Sequence, residues 1–394
     1  MSWVMKNTNA LISTMSADTL REDEVEVSSK LGFDTLCTYN WLKDGSAILV
    51  PGGPPRWRPN DLPVTLAQDT GHQYIDLNAF RVPKFPFEPA FRALSIMNQS
   101  LELNDIDVVV NRNSLRKLLN FSAGRRQDPF RIDLHMINNT LFMSRRERNA
   151  RSMIHGAANS GYGHNFETAF TEPQAGLDHS SSHHRVIRYK LGSLDCIVRF
   201  EVDACYEDSE SHHPAPVTAD NVEDIVTSLA SLGIVTVESE RRALGHTKVI
   251  LRGHTIAPSS LAELKAHKTV KISQAVPQLW FGRTPYLITG KHVEGTVHSI
   301  SCDQVGERFE AWERTHQSTL RKLVNLLQGL KQTVGSMEHR TAILVCRKKG
   351  APLEIFSEKQ RSHVLPLDIA RQYWELGVKR KNAKRSTKQS NTST

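Results

Sequence analysis

The sequence has only five cysteines in 394 residues: Cys37, Cys196, Cys205, Cys302 and Cys346. They are scattered, odd in number and form no C-x-x-C pair, which argues against a disulfide framework and against a cysteine-rich zinc site. A reducing compartment is the expectation. No apolar run approaches the roughly 18 residues that a membrane span needs, so no membrane partner is expected. The chain starts polar and shows no basic-then-apolar leader, so no secretory segment is expected either. Internal repeats are missing. So is a broadly basic body. The net charge is +8, but Lys379, Arg380, Lys381, Lys384, Arg385 and Lys388 crowd into the tail. Such a tail attracts polyanions and can serve as a nuclear address, with the cytoplasm as a second location. A solvated, disordered tail is the bland reading of the same residues.

What is present suits a mixed α+β body of central, mostly antiparallel or mixed sheets flanked by helices. Residues 1–30 show little periodicity and are expected to be disordered. One domain is expected over 31–376, with an insertion at about 206–258 and a basic disordered tail over 377–394. Leu36 to Val50 reads as two strands around a Lys-Asp-Gly-Ser turn. The Gly- and Pro-rich stretch from Pro51 to Pro59 rules out regular structure and reads as a packed surface loop. Ile106 to Val110 is a β-branched run leading into a helix over Leu115 to Leu119, and residues 131–143 alternate like a hairpin. His179, His183 and His184 in a Ser-rich stretch, and His212 and His213 in a Pro-rich one, read as solvated loops, because no spacing matches a zinc ligand set. Asp220 to Gly233 has a capped helical pattern, and Phe309 to Leu330 an amphipathic one.

Two short stretches carry the chemistry. In Val198-Arg199-Phe200-Glu201-Val202-Asp203, alternate side chains share a face, which sets Val198, Phe200 and Val202 toward a core and Glu201 and Asp203 away from it. In Leu261-Ala262-Glu263-Leu264-Lys265, Glu263 and Lys265 point outward with Leu261. If the two strands lie side by side, three carboxylates and an ammonium share one patch. Three close carboxylates repel and raise one another's pKa, and a divalent cation relieves that repulsion. Asp203 and Glu263 would hold Mg²⁺ or Mn²⁺ through oxygen, and Lys265 would orient or help deprotonate a water. On position alone Arg112 would be a surface arginine and Glu167 an unremarkable helix carboxylate.

Glu-x-Lys beside an acidic strand is the site pattern of the PD-(D/E)XK nuclease superfamily. More of the chain resembles one branch of it, the decapping exoribonuclease (DXO) family, which removes incomplete, triphosphate or NAD caps from RNA 5′ ends. That family carries, in order, an Arg after a strand, Gly-Φ-x-Φ-Glu, Glu-Φ-Asp, Glu-Φ-Lys and a downstream Gln. Here Arg112, Gly163-His164-Asn165-Phe166-Glu167, Glu201-Val202-Asp203, Glu263-Leu264-Lys265 and Gln278 take those places. The resemblance runs over residues 36–330. It implies that Glu167, Glu201, Asp203 and Glu263 are metal ligands, with the Leu264 carbonyl adding one. Lys265, Glu263 and Asp203 would be the catalytic set, and Arg112 and Gln278 would contact the RNA 5′ end.

The resulting expectation is a metal-dependent RNA 5′-end decapping nuclease, a hydrolase acting on incompletely capped, triphosphate or NAD-capped RNA, with 5′–3′ exonuclease activity as a companion. Two alternatives belong to other classes: a catalytically weak member that serves as the binding partner of a 5′–3′ exoribonuclease, and a PD-(D/E)XK nuclease acting on DNA.

Overall fold

The structure, a computed structural model, describes residues 2–155, 161–206, 247–268 and 272–374. The expected helix over Asp220 to Gly233, the histidines His212 and His213, and the basic tail lie outside the described residues. Among the described residues two sheets dominate.

The larger has eleven strands. Its centre is the Val108–Asn111 strand, which pairs in parallel with Leu194–Val202 on one side and with Thr140–Arg146 on the other. Beyond Leu194–Val202 come Ser180–Leu191, Asp34–Leu42, Ala47–Gly52 and Lys248–Gly253; beyond Thr140–Arg146 come Phe130–Ile137, Thr341–Cys346, Leu353–Glu358 and Thr8–Met15. Parallel pairs are confined to the centre and to the Lys248–Gly253 edge, and the other neighbours run antiparallel. The second sheet has seven strands, among them Ala204–Cys205, Leu261–His267 and Tyr286–Val293.

Both faces of the large sheet are covered, which is why the central run Val108-Val109-Val110 is apolar without alternation. Val108, Val110, Val198, Phe200 and Val202 lie on one face, in a core shared with the Arg112–Ser122 and Ile272–Gly282 helices and the long helix Phe309–Ser336. Val109 and Ile197 pack on the other, against Phe91, Leu94 and Trp374. Of the apolar stripe expected for the long helix, Phe309, Leu320, Leu323, Val324 and Leu327 are buried and Trp312 is half-buried.

Four expectations are corrected. Residues 1–30 are not disordered: Thr8–Met15 is the edge strand beside Leu353–Glu358, and Val27 is fully buried. The backbone pairing supplies what a polar, weakly patterned sequence does not advertise. His183 and His184 are not on solvated loops. They lie buried in the Ser180–Leu191 strand, where Asn40 bonds the His183 ring at 2.7 Å and Tyr39 stacks on His184. Within the Pro51 to Pro59 stretch, Arg56–Trp57 pairs as a short strand. Leu261, expected to face outward, is buried, because that face meets the main core.

Candidate active site

The expected patch forms, but not by pairing of the two stretches along their length. Leu194–Val202 belongs to the large sheet and Leu261–His267 to the smaller one. After Val202 the chain leaves the first sheet at Asp203 and enters the second as Ala204–Cys205, which pairs antiparallel with Leu261 and Ala262. Asp203 sits at this crossing, and its Oδ2 accepts the Leu264 N–H at 2.9 Å. One carboxylate thus pins the two halves of the patch together. The same bond holds Leu264, the residue whose carbonyl the family resemblance adds to the ligand set.

Glu263 is the most engaged member and is only 3 % exposed. Lys265 Nζ donates to its Oε1 at 2.6 Å, the Gln278 amide donates to the same oxygen, and Arg112 Nη2 lies 3.3 Å from Oε2. Burial pushes the Glu263 carboxyl up, but Lys265 and Arg112 outweigh it and hold it below the usual carboxylate range. Burial likewise opposes the Lys265 charge, yet Glu263 and Asp203 raise its pKa above that of a free lysine. In this geometry the Lys265 ammonium is a donor to Glu263.

Arg112 opens the Arg112–Ser122 helix directly after the Val108–Asn111 strand. Its guanidinium lies over the Phe200 ring at 5.1 Å, and its Nη1 is buried with no partner among the described residues. One turn on, Arg116 shares that face. Arg116 Nη1 bonds Gln278 Oε1 at 2.8 Å. A guanidinium only donates, so this contact fixes the amide: its oxygen faces Arg116 and its NH₂ faces Glu263.

Glu201 and Asp203 have the opposite electrostatics from Glu263. Glu201 opens onto the cleft but is enclosed by protein at longer range. Burial and then the Glu167 charge push it up to about 7. Asp203 is raised well above its usual value by burial, then by Glu263 and Glu167. Glu167 comes from the Gly163–Phe170 helix. Buried Asp69 accepts the His164 and Asn165 N–H groups of that helix's first turn at 3.3 and 3.0 Å, a favourable place for a carboxylate. Phe166 seats the helix against Gly290, where an added Cβ would stand 2.3 Å from its ring. His164 Nδ1 lies 3.6 Å from Glu167 Oε2, and this contact with Glu167 raises its pKa despite burial.

Two cavities meet at Glu201. One, of ≈ 180 Å³, is lined by Arg112, Arg116, Arg145, Arg199 and Gln278. The other, of ≈ 260 Å³, is lined by Glu167, Asp203, His183, Gln174 and three serines, Ser180 to Ser182. Among the described residues no three His, Cys, Asp or Glu side chains are already gathered as a metal-holding group. The donors nevertheless fit a hard divalent cation in their chemistry. Glu167, Glu201 and Asp203 offer only oxygen to one cavity, and two of them carry raised pKa values that a cation would lower. Glu263 would have to share its oxygens between the cation and its present donors.

All eight residues expected from the sequence therefore lie at or beside one cleft. Arg116 and Asp69 were missed. Arg116 had a signal in its i+4 spacing from Arg112. Asp69 had none, since only the fold brings it to a helix almost a hundred residues away.

A model of the family described as "Domain of unknown function (DUF8563)" matches residues 10–374. No curated protein matches the sequence. Solved structures do match in fold. Rai1 of Scheffersomyces stipitis, in complex with (3'-NADP)+ and calcium ion, aligns over 93 % of this chain and 98 % of its own, with a TM-score of 0.58 at 9 % identity. Rai1 of Candida albicans, in complex with pU5 and Mn²⁺, aligns over 92 % and 99 % with a TM-score of 0.57 at 11 % identity. Dxo1 of K. lactis, in complex with manganese, aligns over 90 % and 99 % with a TM-score of 0.53 at 10 % identity. The chain thus has the fold of Rai1 and Dxo1, and it belongs to the DUF8563 family.

Proposed function

We propose that this protein is a metal-dependent hydrolase of RNA 5′ ends, acting on triphosphate, incompletely capped or NAD-capped RNA, with 5′–3′ exonuclease activity on the product. One observation carries the reading: five stretches far apart in sequence, at Arg112, Glu167, Glu201 to Asp203, Glu263 to Lys265 and Gln278, bring acids, a held ammonium and a basic chamber to one cleft. The fold shared with Rai1 and Dxo1 supports it.

In this reading Glu167, Glu201, Asp203 and Glu263 hold Mg²⁺ or Mn²⁺. When bound, the ion supplies Lewis-acid polarisation of the phosphoryl oxygen and a more acidic water. Lys265, kept charged by Glu263 and Asp203, donates to the water or to the developing phosphoryl charge. Arg112 offers its unpartnered Nη1 to a phosphate oxygen, and Gln278, its amide fixed by Arg116, holds Glu263 in place beside it. The test uses RNAs labelled at triphosphate, NAD-capped, guanosine-capped and monophosphate 5′ ends, with Mg²⁺, Mn²⁺ or chelator. Release of pyrophosphate, a capped fragment or mononucleotides in metal only is expected. Turnover in chelator, or turnover of DNA alone, overturns the reading.

A second reading has its own observation. With Glu263 held by three donors, a weakly catalytic protein that binds a 5′–3′ exoribonuclease is the alternative. Absence of turnover on every RNA, together with stimulation of an added exoribonuclease, would select it. The tail carries the proposal of nuclear localisation. Deleting residues 378–394 should redistribute the protein in cells and leave turnover of short RNA unchanged; an unchanged distribution refutes that role.

A further inference from the structure

A third cavity adjoins the basic chamber. It measures ≈ 420 Å³ and lies between the Arg112–Ser122, Ile272–Gly282 and Phe309–Ser336 helices. Arg116 lines both spaces, and Pro277 in the third cavity precedes Gln278 in the chamber. The cations lining the third cavity are Arg116 and Arg125, its amides Asn120 and Gln274, its rings Trp312 and His316, and among the described residues no carboxylate lines it. The two rings are already stacked, with centroids 4.7 Å apart and planes at 21°. The His316 Nδ1–H donates to the Trp312 carbonyl at 2.8 Å, and Trp312 rests on Trp280 with centroids 5.3 Å apart. Both rings are half-buried, and Arg125 is exposed.

Each feature points the same way. Cations without carboxylates attract phosphates. A locked aromatic pair offers a base a stacking surface at little ordering cost, and it does so for any base. The volume is that of a small-molecule pocket, which a nucleotide fills. Arg116 makes the cavity a continuation of the place proposed for the 5′ phosphates. We infer that it is the subsite for the nucleotides that follow the 5′ end of a single-stranded RNA, with phosphates on Arg116 and Arg125 and a base against Trp312 and His316. The inference rests on the reading of the cleft as a site for RNA 5′ ends.

The test compares 5′-triphosphate RNAs of two and of about ten nucleotides, the latter long enough to cross a typical single-strand site. The variants are Arg125→Glu and His316→Ala, whose melting temperatures are checked against the parent protein. One lost stacking or phosphate contact corresponds to roughly a tenfold weaker interaction. The KM for the longer RNA should therefore rise about tenfold in each variant while that for the dinucleotide holds. The salt dependence on the longer RNA should be shallower in Arg125→Glu. Equal rises on both lengths, or none on either, overturn the subsite. If the parent protein turns over neither RNA, the hydrolase reading fails, and anisotropy of a labelled ten-nucleotide RNA in chelator still decides the subsite: binding weakened by both variants supports it, and absent or unaltered binding overturns it.

Discussion

Replacing Glu201 with glutamine should stabilise the metal-free protein, and by an amount that grows with pH. Burial and the Glu167 charge carry the Glu201 carboxyl from its ordinary 4.5 to about 7 in the folded protein. Between those values the native state keeps a proton that the unfolded chain has released. Unfolding stability must then fall as pH rises through that window. Below 4.5 the penalty is absent; above 7 it is complete. The rise converts to about 3 kcal/mol at 1.36 kcal/mol for each pH unit. Glu201 opens onto the cleft, and solvent screening of an exposed side chain cuts the figure to about 1 kcal/mol. Glutamine cannot titrate. Urea unfolding in chelator should therefore show Glu201→Gln and the parent alike near pH 4.5, with the variant about 1 kcal/mol more stable at pH 8. Saturating Mn²⁺ at pH 8 should erase that advantage, since binding to the native state stabilises the parent more. A variant that is no more stable at pH 8, or an advantage independent of pH, would refute the picture of a strained acidic patch.

Two further substitutions separate support from chemistry. Asp203→Ala should abolish RNA hydrolysis and also cost about 1–3 kcal/mol in unfolding, because the Leu264 N–H loses its acceptor. Asp203→Asn keeps an acceptor oxygen and should lose activity with little loss of stability; equal destabilisation by both would place the effect elsewhere. Gly290→Ala puts a Cβ 2.3 Å from the Phe166 ring. It should lower stability by about 1–3 kcal/mol and displace the Glu167 helix. A weakened Mn²⁺-induced rise in melting temperature would read that displacement; an unaltered rise would show that the helix does not set the metal response.

The sequence made strand parity and helix stripes visible wherever one face meets solvent or one core. It failed where burial is two-sided or polar. His183 and His184 look like loop residues, yet Asn40 and Tyr39 receive them, and burial lowers the pKa of both. Glu201 and Asp203 share a face in an alternation that runs unbroken from Val198 to Ala204. No residue in that run announces that the chain changes sheets at Asp203, because the change is a matter of which neighbour pairs with it. Arg116 was legible only as a neighbour of Arg112; its use depends on Gln278, 162 positions away.

The change of sheets also explains how a long connection between Asp203 and Glu263 is tolerated. The pairing that joins the two acids is made by Ala204 and Cys205 with Ala262 and Leu261, immediately next to both. The entropy of closing a loop grows only with the logarithm of its length. A fivefold longer connection costs about 1.4 kcal/mol, comparable to one well-made hydrogen bond. The Asp203 bond to the Leu264 N–H, with Ala204, Ala262, Leu264 and Ile288 buried in one apolar cluster, offsets that cost where it arises. Spacing between the two acidic motifs is thus a weak constraint on this site, whereas the two residues after Asp203 are a strong one: a substitution that breaks their pairing would separate the carboxylates more surely than any lengthening of the chain between them.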